Sequence, residues 1–220
     1  MSRGFIVVAL SATCIGAALT SGAAAKASDD CPIGVYCFPD GEIVDIAPSE
    51  GNTFRWRKFD GSTGVLHKKE DGSWTSTLGW TNRPDGHTAS FTGCANGEIE
   101  FDGKVAHRIP FDVTDLVFEG RGGTKLAGRL VLPKGNERLP IVVLVHGAER
   151  DSARESYALQ RLLPAENVGV FVYDKRGTGG STGKYTQDFQ TLADDAVAAM
   201  REAKRIAGTR CARIGYQGGS

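Results

Sequence analysis

Apolar and polar positions along the 220-residue chain follow two different rhythms. Up to about His107 the apolar residues alternate with polar ones in short runs, as in Glu42-Ile43-Val44-Asp45-Ile46 and Phe54-Arg55-Trp56-Arg57-Lys58-Phe59. Between the runs stand Asp40-Gly41, Asp60-Gly61, Asp71-Gly72, Asp85-Gly86, Asn96-Gly97 and Asp102-Gly103. Such pairs tolerate the positive φ angles of tight hairpins, and a period of two turns every second side chain to one face. The pattern predicts a small antiparallel β module over residues 28–110. Trp56, Trp74 and Trp80 fall inside it, and in a small β module aromatics serve as core and cross-strand packing more often than as a ligand platform.

After Phe111 the rhythm changes. Leu116 to Pro133 reads as two strands around a glycine-rich turn. Ile141 to Val145 and Val168 to Tyr173 are continuous apolar runs without polar alternation, as expected of strands buried on both faces. Between them, Tyr157, Ala158, Leu159, Leu162 and Leu163 recur at near-helical spacing within 151–166. Phe189, Leu192, Ala193, Ala196, Val197, Met200, Ala203 and Ala207 keep one face over about five helical turns, and Ala212 to Tyr216 returns to strand. Strand, helix, strand, helix, strand predicts an α/β fold with right-handed crossovers.

The first 27 residues stand apart. Arg3 precedes the apolar stretch Phe5 to Leu19, and two small-residue cleavage options follow, Ala23-Ala24-Ala25 and Ala25-Lys26-Ala27. This is the layout of a secretory signal peptide. The run is short for a membrane span and is broken by Ser11, Thr13 and Gly16, so no stable membrane insertion is expected after cleavage. Export to a periplasmic or secreted location leaves Cys31, Cys37, Cys94 and Cys211 in an oxidising compartment, where Cys31 and Cys37, close in sequence, are the expected disulfide pair.

Charge adds a boundary condition. The 26 basic and 26 acidic side chains cancel, so no global field selects nucleic acid. No Cys or His pair has zinc-ligand spacing, and His67, His87 and His107 read as ordinary surface or packed side chains. The loop 174–183 fails both phosphate-binding patterns: Thr178 stands where a P-loop needs its first glycine, and Thr182 where a dinucleotide fold needs its third. No metal or cofactor is expected, and Asp174 and Arg176 read as residues that tie the loop down.

The remaining chemistry sits where the strands end. His146-Gly147-Ala148 leaves the first buried strand, and Gly218-Gly219-Ser220 follows the last, supplying the opening letters of a G-x-S-x-G turn that lifts a serine off the sheet edge. A competing register would place Gln217, which is no nucleophile, at that turn. Together, the stretches Val143 to Ala148, Val172 to Gly183 and Arg213 to Ser220 resemble the α/β-hydrolase superfamily, in the branch of serine aminopeptidases, prolyl-oligopeptidase-like enzymes and dienelactone hydrolases. The resemblance spans about half the chain, from Phe111 to Ser220. It implies a partial α/β-hydrolase sheet, mostly parallel with helices on both faces, in residues 111–220. It further implies Ser220 as nucleophile, the N–H of Ala148 as an oxyanion donor, and His146, Gly147 and Gly218 as structural neighbours of the site. The substrate class would be a small-molecule ester, thioester or peptide bond cleaved by acyl transfer. The resemblance also places the acid and the catalytic His after the nucleophile, so residues 1–220 alone are expected to be inactive. The alternative is a non-catalytic binding protein that presents the β module on a hydrolase-like scaffold.

Overall fold

A computed structural model describes residues 31–219. The proposed signal peptide and Ser220 lie outside the described residues. Eight strands, β1 (Gly34–Cys37), β2 (Ile43–Pro48), β3 (Phe54–Arg57), β4 (Thr63–Lys68), β5 (Trp74–Leu78), β6 (Pro84–Ser90), β7 (Glu98–Phe101) and β8 (Lys104–Arg108), form a closed barrel. Every pairing in it is antiparallel, including the closing pair in which Tyr36 faces Arg108.

The Asp-Gly pairs explain the hairpins. Gly41, Gly61 and Gly72 adopt φ values of 87°, 88° and 85°, a region open to glycine. In each turn the preceding Asp accepts a hydrogen bond from the N–H two residues on: Glu42 at 3.1 Å, Ser62 at 2.8 Å and Ser73 at 2.9 Å. The same local chemistry repeats, and the strands meander. Closure buries Tyr36, Val44, Ile46, Trp56, Leu66, Ile99 and Phe101 in the barrel interior. Trp56 donates to Ser76 Oγ at 2.8 Å, which satisfies its indole N–H inside the core. Trp74 is core as well, whereas Trp80 is exposed under the guanidinium of Arg55, 3.6 Å above its ring.

The expected Cys31–Cys37 disulfide is corrected. Cys31 bonds Cys94, with the two Cα atoms 5.7 Å apart. Cys37 ends strand β1, and an extended segment at about 3.3 Å per residue carries it far from Cys31. The Cys31–Cys94 bond and the Arg108 guanidinium, which donates to the carbonyls of Cys31 and Ile33, anchor the segment entering the barrel.

The second half is a five-stranded sheet in the order β13 (Cys211–Gly218), β11 (Leu139–Val145), β12 (Gly169–Tyr173), β10 (Lys125–Pro133), β9 (Phe111–Glu119). Among the described residues only β11–β12 and β11–β13 are parallel; β10 runs antiparallel to both β12 and β9. A mostly parallel sheet with helices on both faces is therefore not what the chain builds. Its strands are mostly antiparallel, eight of them close into a barrel, and helices are few. A continuous apolar run reports burial on both faces but not the direction of the neighbour, and the short connection between β9 and β10 forces them antiparallel.

Among the described residues three α-helices serve this sheet. α3 (Phe189–Ala207) is capped by Asp188, whose side chain accepts from the Thr191 N–H at 2.7 Å, and it lays Ala199, Ala203 and Ala207 against Phe118, Phe171 and Tyr173. The helical pattern expected over 151–166 splits into α1 (Ala153–Ser156) and α2 (Leu159–Ala165), because Tyr157 takes extended angles between them. α2 is buried on two sides. Leu159 and Leu163 pack on the sheet with Val170 and Val172, and Leu162 packs on the barrel with Val35 and Ile43.

Candidate active site

The carboxyl ends of β11, β12 and β13 lie side by side, the edge at which open α/β sheets place their ligands. β13 runs to Gly218, with Gln217 paired to Leu144 and Gly218 to Val145. Gln217 is thus within the strand, and the register that would put it at the turn is removed. Gly219 donates to the Val145 carbonyl at 2.8 Å, so the backbone just past β13 stays beside the end of β11. A side-chain carbon on Gly219 would sit 2.9 Å from Tyr157 Oη and 3.3 Å from the Gly147 nitrogen. No residue but glycine fits there without displacing one of them.

Gly147 is held from both sides. Its N–H donates to Tyr157 Oη at 3.1 Å, and its carbonyl accepts from the buried Lys175 ammonium. In a trans peptide the C=O and the following N–H point in opposite directions, so Lys175 turns the Ala148 N–H away from itself. Tyr185 adds a second restraint by donating its hydroxyl to the Ala148 carbonyl at 2.7 Å, and the ammonium of Lys175 lies 4.7 Å from its ring. Neither Lys175 nor Tyr157 stands out in the sequence. The one is hidden in a loop of charged and glycine residues, and the other looked like one more apolar position on a helix face.

His146 is buried, and its Nε2 accepts from the Lys175 backbone N–H at 3.3 Å. That leaves the ring proton on Nδ1, which is 3.9 Å from Glu149 Oε2 and makes no hydrogen bond among the described residues. Burial pushes its pKa below the ordinary value, the Lys175 charge adds to the shift, and Glu149 and Asp174 oppose it. A neutral ring locked this way shapes the turn. It is not poised to take a proton.

Asp174 accepts from Ser152 Oγ at 2.8 Å, the Arg154 N–H at 3.2 Å and the Gly180 N–H at 3.0 Å. Arg176 grips the buried carboxylate of Asp195 through two bonds of 2.7 Å, tying the loop to α3. Both residues hold backbone in place and carry no chemistry themselves. Between this edge and the β3–β4 hairpin lies a cleft of about 460 Å³, walled by Arg57, Lys58 and Thr63 of the barrel and by Tyr157, Leu159 and Gly219.

The family described as "Serine aminopeptidase, S33" matches residues 136–216. Over the matched segment the chain is similar to this branch of the α/β-hydrolase superfamily. "Esterase FrsA" of Enterobacter sp. (strain 638) is 27% identical over 120 residues, which is 53% of this chain and 28% of that protein. The Escherichia coli O1:K1 / APEC esterase FrsA is 25% identical over 118 residues, with the same shares of each chain. The match thus spans less than a third of these relatives' length. Among solved structures, the Pyrococcus furiosus esterase Pf2001 superposes with a TM-score of 0.43 at 26% identity, over 49% of this chain and 42% of that one.

Proposed function

We propose that the chain belongs to an exported serine hydrolase that cleaves an ester, thioester or amide of a small molecule through Ser220. The observation that carries the reading is the approach of Gly219, the residue before Ser220, to the Gly147 turn whose orientation Tyr157 and Lys175 set. The Ser220 hydroxyl attacks the substrate carbonyl and gives its proton to a general base, the Ala148 N–H stabilises the oxyanion, the alcohol, thiol or amine departs with that proton, and water releases the acid from the acyl-enzyme. His67, His87 and His107 are engaged by Thr77, Asp102 and Glu98 within the barrel, and His146 is committed to Lys175. The general base is therefore assigned to none of these four. Residues 1–220 alone should hydrolyse no ester faster than their Ser220→Ala variant.

Export is part of the proposal, and the Cys31–Cys94 disulfide, which suits an oxidising compartment, supports it. The test is labelling of the complete protein by a fluorophosphonate probe, with Ser220→Ala as control. Labelling that persists in the variant, or no labelling of the wild type, overturns the nucleophile assignment.

A further inference from the structure

The barrel wall of the cleft carries two cationic side chains. Arg57 and Lys58 face Tyr157, Leu159 and Leu162 across it, and among the described residues no carboxylate contributes to its lining. The nearest acid to Arg57 is Asp45, fully buried, at 4.0 Å from Nη1, which is beyond hydrogen-bond reach. Asp45 is already taken, because Arg161 spans both of its oxygens. One negative charge thus faces two guanidinium groups, and Arg161 holds it more closely than Arg57 does. The Arg57 Nη1 is buried and makes no hydrogen bond among the described residues, while the side chain as a whole stays 30% exposed on the cleft. Lys58 is paired with Glu42 at 2.8 Å and adds a flanking charge partly neutralised at the rim.

We propose that the barrel is the specificity wall of the hydrolase, and that Arg57 binds a carboxylate borne by the acyl part of the substrate, with Lys58 flanking it. A guanidinium offers a planar fork that a carboxylate fits with two hydrogen bonds. The cleft opens on Gly219 and Tyr157, so a substrate anchored at Arg57 reaches the strand edge at Gly219. Its apolar side, Leu159 and Leu162, suits the short methylene chain of a dicarboxylic half-ester. This inference rests on the hydrolase reading for its chemistry and on Arg57 alone for its selectivity.

The test compares two esters of similar length on the complete protein, neutral 4-nitrophenyl butyrate and anionic mono-4-nitrophenyl glutarate. Arg57→Met is expected to lower kcat/KM for the glutarate ester by about tenfold or more and to change the butyrate ester by less than about twofold. Arg57→Lys, which keeps the charge and loses the fork, should fall between. It serves also if Arg57→Met does not fold. Equal losses on both esters, or no change on either, overturn the carboxylate site. Calorimetric binding of glutarate itself separates this proposal from the hydrolase reading. Protein that neither labels nor turns over either ester, yet binds glutarate through Arg57, defeats the hydrolase reading and upholds the site. Protein that labels and hydrolyses butyrate without an Arg57-dependent preference defeats the site alone.

Discussion

Arg161 of α2 lies across the carboxylate of Asp45 in β2, bonding both oxygens of a side chain that is wholly buried. The pair joins the barrel to the sheet at the point where Leu162 of the same helix packs on Val35 and Ile43. Removing Arg161 would strand a buried charge, with only Arg57 at 4.0 Å to offset it. Arg161→Met is expected to cost about 3–5 kcal/mol of stability, and adding Asp45→Asn should recover part of the loss. Urea midpoints of the two variants check this; a double variant no more stable than Arg161→Met would show that the pair is not what couples the halves.

Lys175 orients the peptide that carries the Ala148 N–H without touching substrate in the proposed mechanism. Lys175→Met should lower kcat by roughly tenfold to a hundredfold and leave KM nearly unchanged, the pattern of a weakened oxyanion donor. A rise in KM with kcat intact would assign the lysine to binding instead.

Gly219 and Tyr157 compete for the same space. Gly219→Ala is expected to push the Tyr157 hydroxyl off the Gly147 N–H, at a cost of about 1 kcal/mol for the lost hydrogen bond, and to slow turnover. Tyr157→Phe also loses that bond and gives the new methyl more room, so the double variant should be more stable than the sum of the single losses implies. Strict additivity in thermal unfolding would contradict the contact.

His146 makes stability depend on pH in a defined direction. Its folded pKa lies below the ordinary value of 6.5, chiefly through burial, so the unfolded chain binds the proton more readily. The stability it contributes is complete above about 6.5 and declines as the pH falls below it. Denaturant midpoints measured on either side of that value should show a decline in the wild type that is shallower in His146→Gln. An identical decline in both would place the titration elsewhere.

The Cys31–Cys94 bond closes a segment with a sequence separation of 63. In the chain-entropy account such a loop stabilises by about 4 kcal/mol, so Cys94→Ser should lower the barrel's unfolding midpoint strongly. An unchanged midpoint would mean that the Arg108 bonds to Cys31 and Ile33 anchor that segment unaided.

Much was legible in local pattern. Asp40-Gly41, Asp60-Gly61 and Asp71-Gly72 announce their hairpins because the turn needs a positive φ and an Asp oxygen at fixed offsets, and both are properties of adjacent residues. The apolar runs at Ile141 to Val145 and Val168 to Tyr173 announce buried strands, and the apolar face of 189–207 announces α3, for the same reason. Superfamily resemblance was also legible, in the His146-Gly147 and Gly218-Gly219 stretches.

What pattern does not encode is which distant surfaces meet. Closure of eight strands into a barrel depends on β1 finding β8, and β10 lies antiparallel to β12 through a pairing across about forty residues of intervening chain. The Cys31 partner was misjudged because nearness in sequence is not nearness in space once an extended strand intervenes. Lys175, Tyr157 and Arg57 acquire their roles only when three strand ends and a barrel hairpin converge. The sequence by itself determined the local elements and the superfamily resemblance of the second half, because turns, periodicity and short motifs depend on neighbouring residues. The tertiary structure alone decided the strand directions, the disulfide and the charged cleft wall, because each rests on long-range contacts whose energy appears only after the chain has closed on itself.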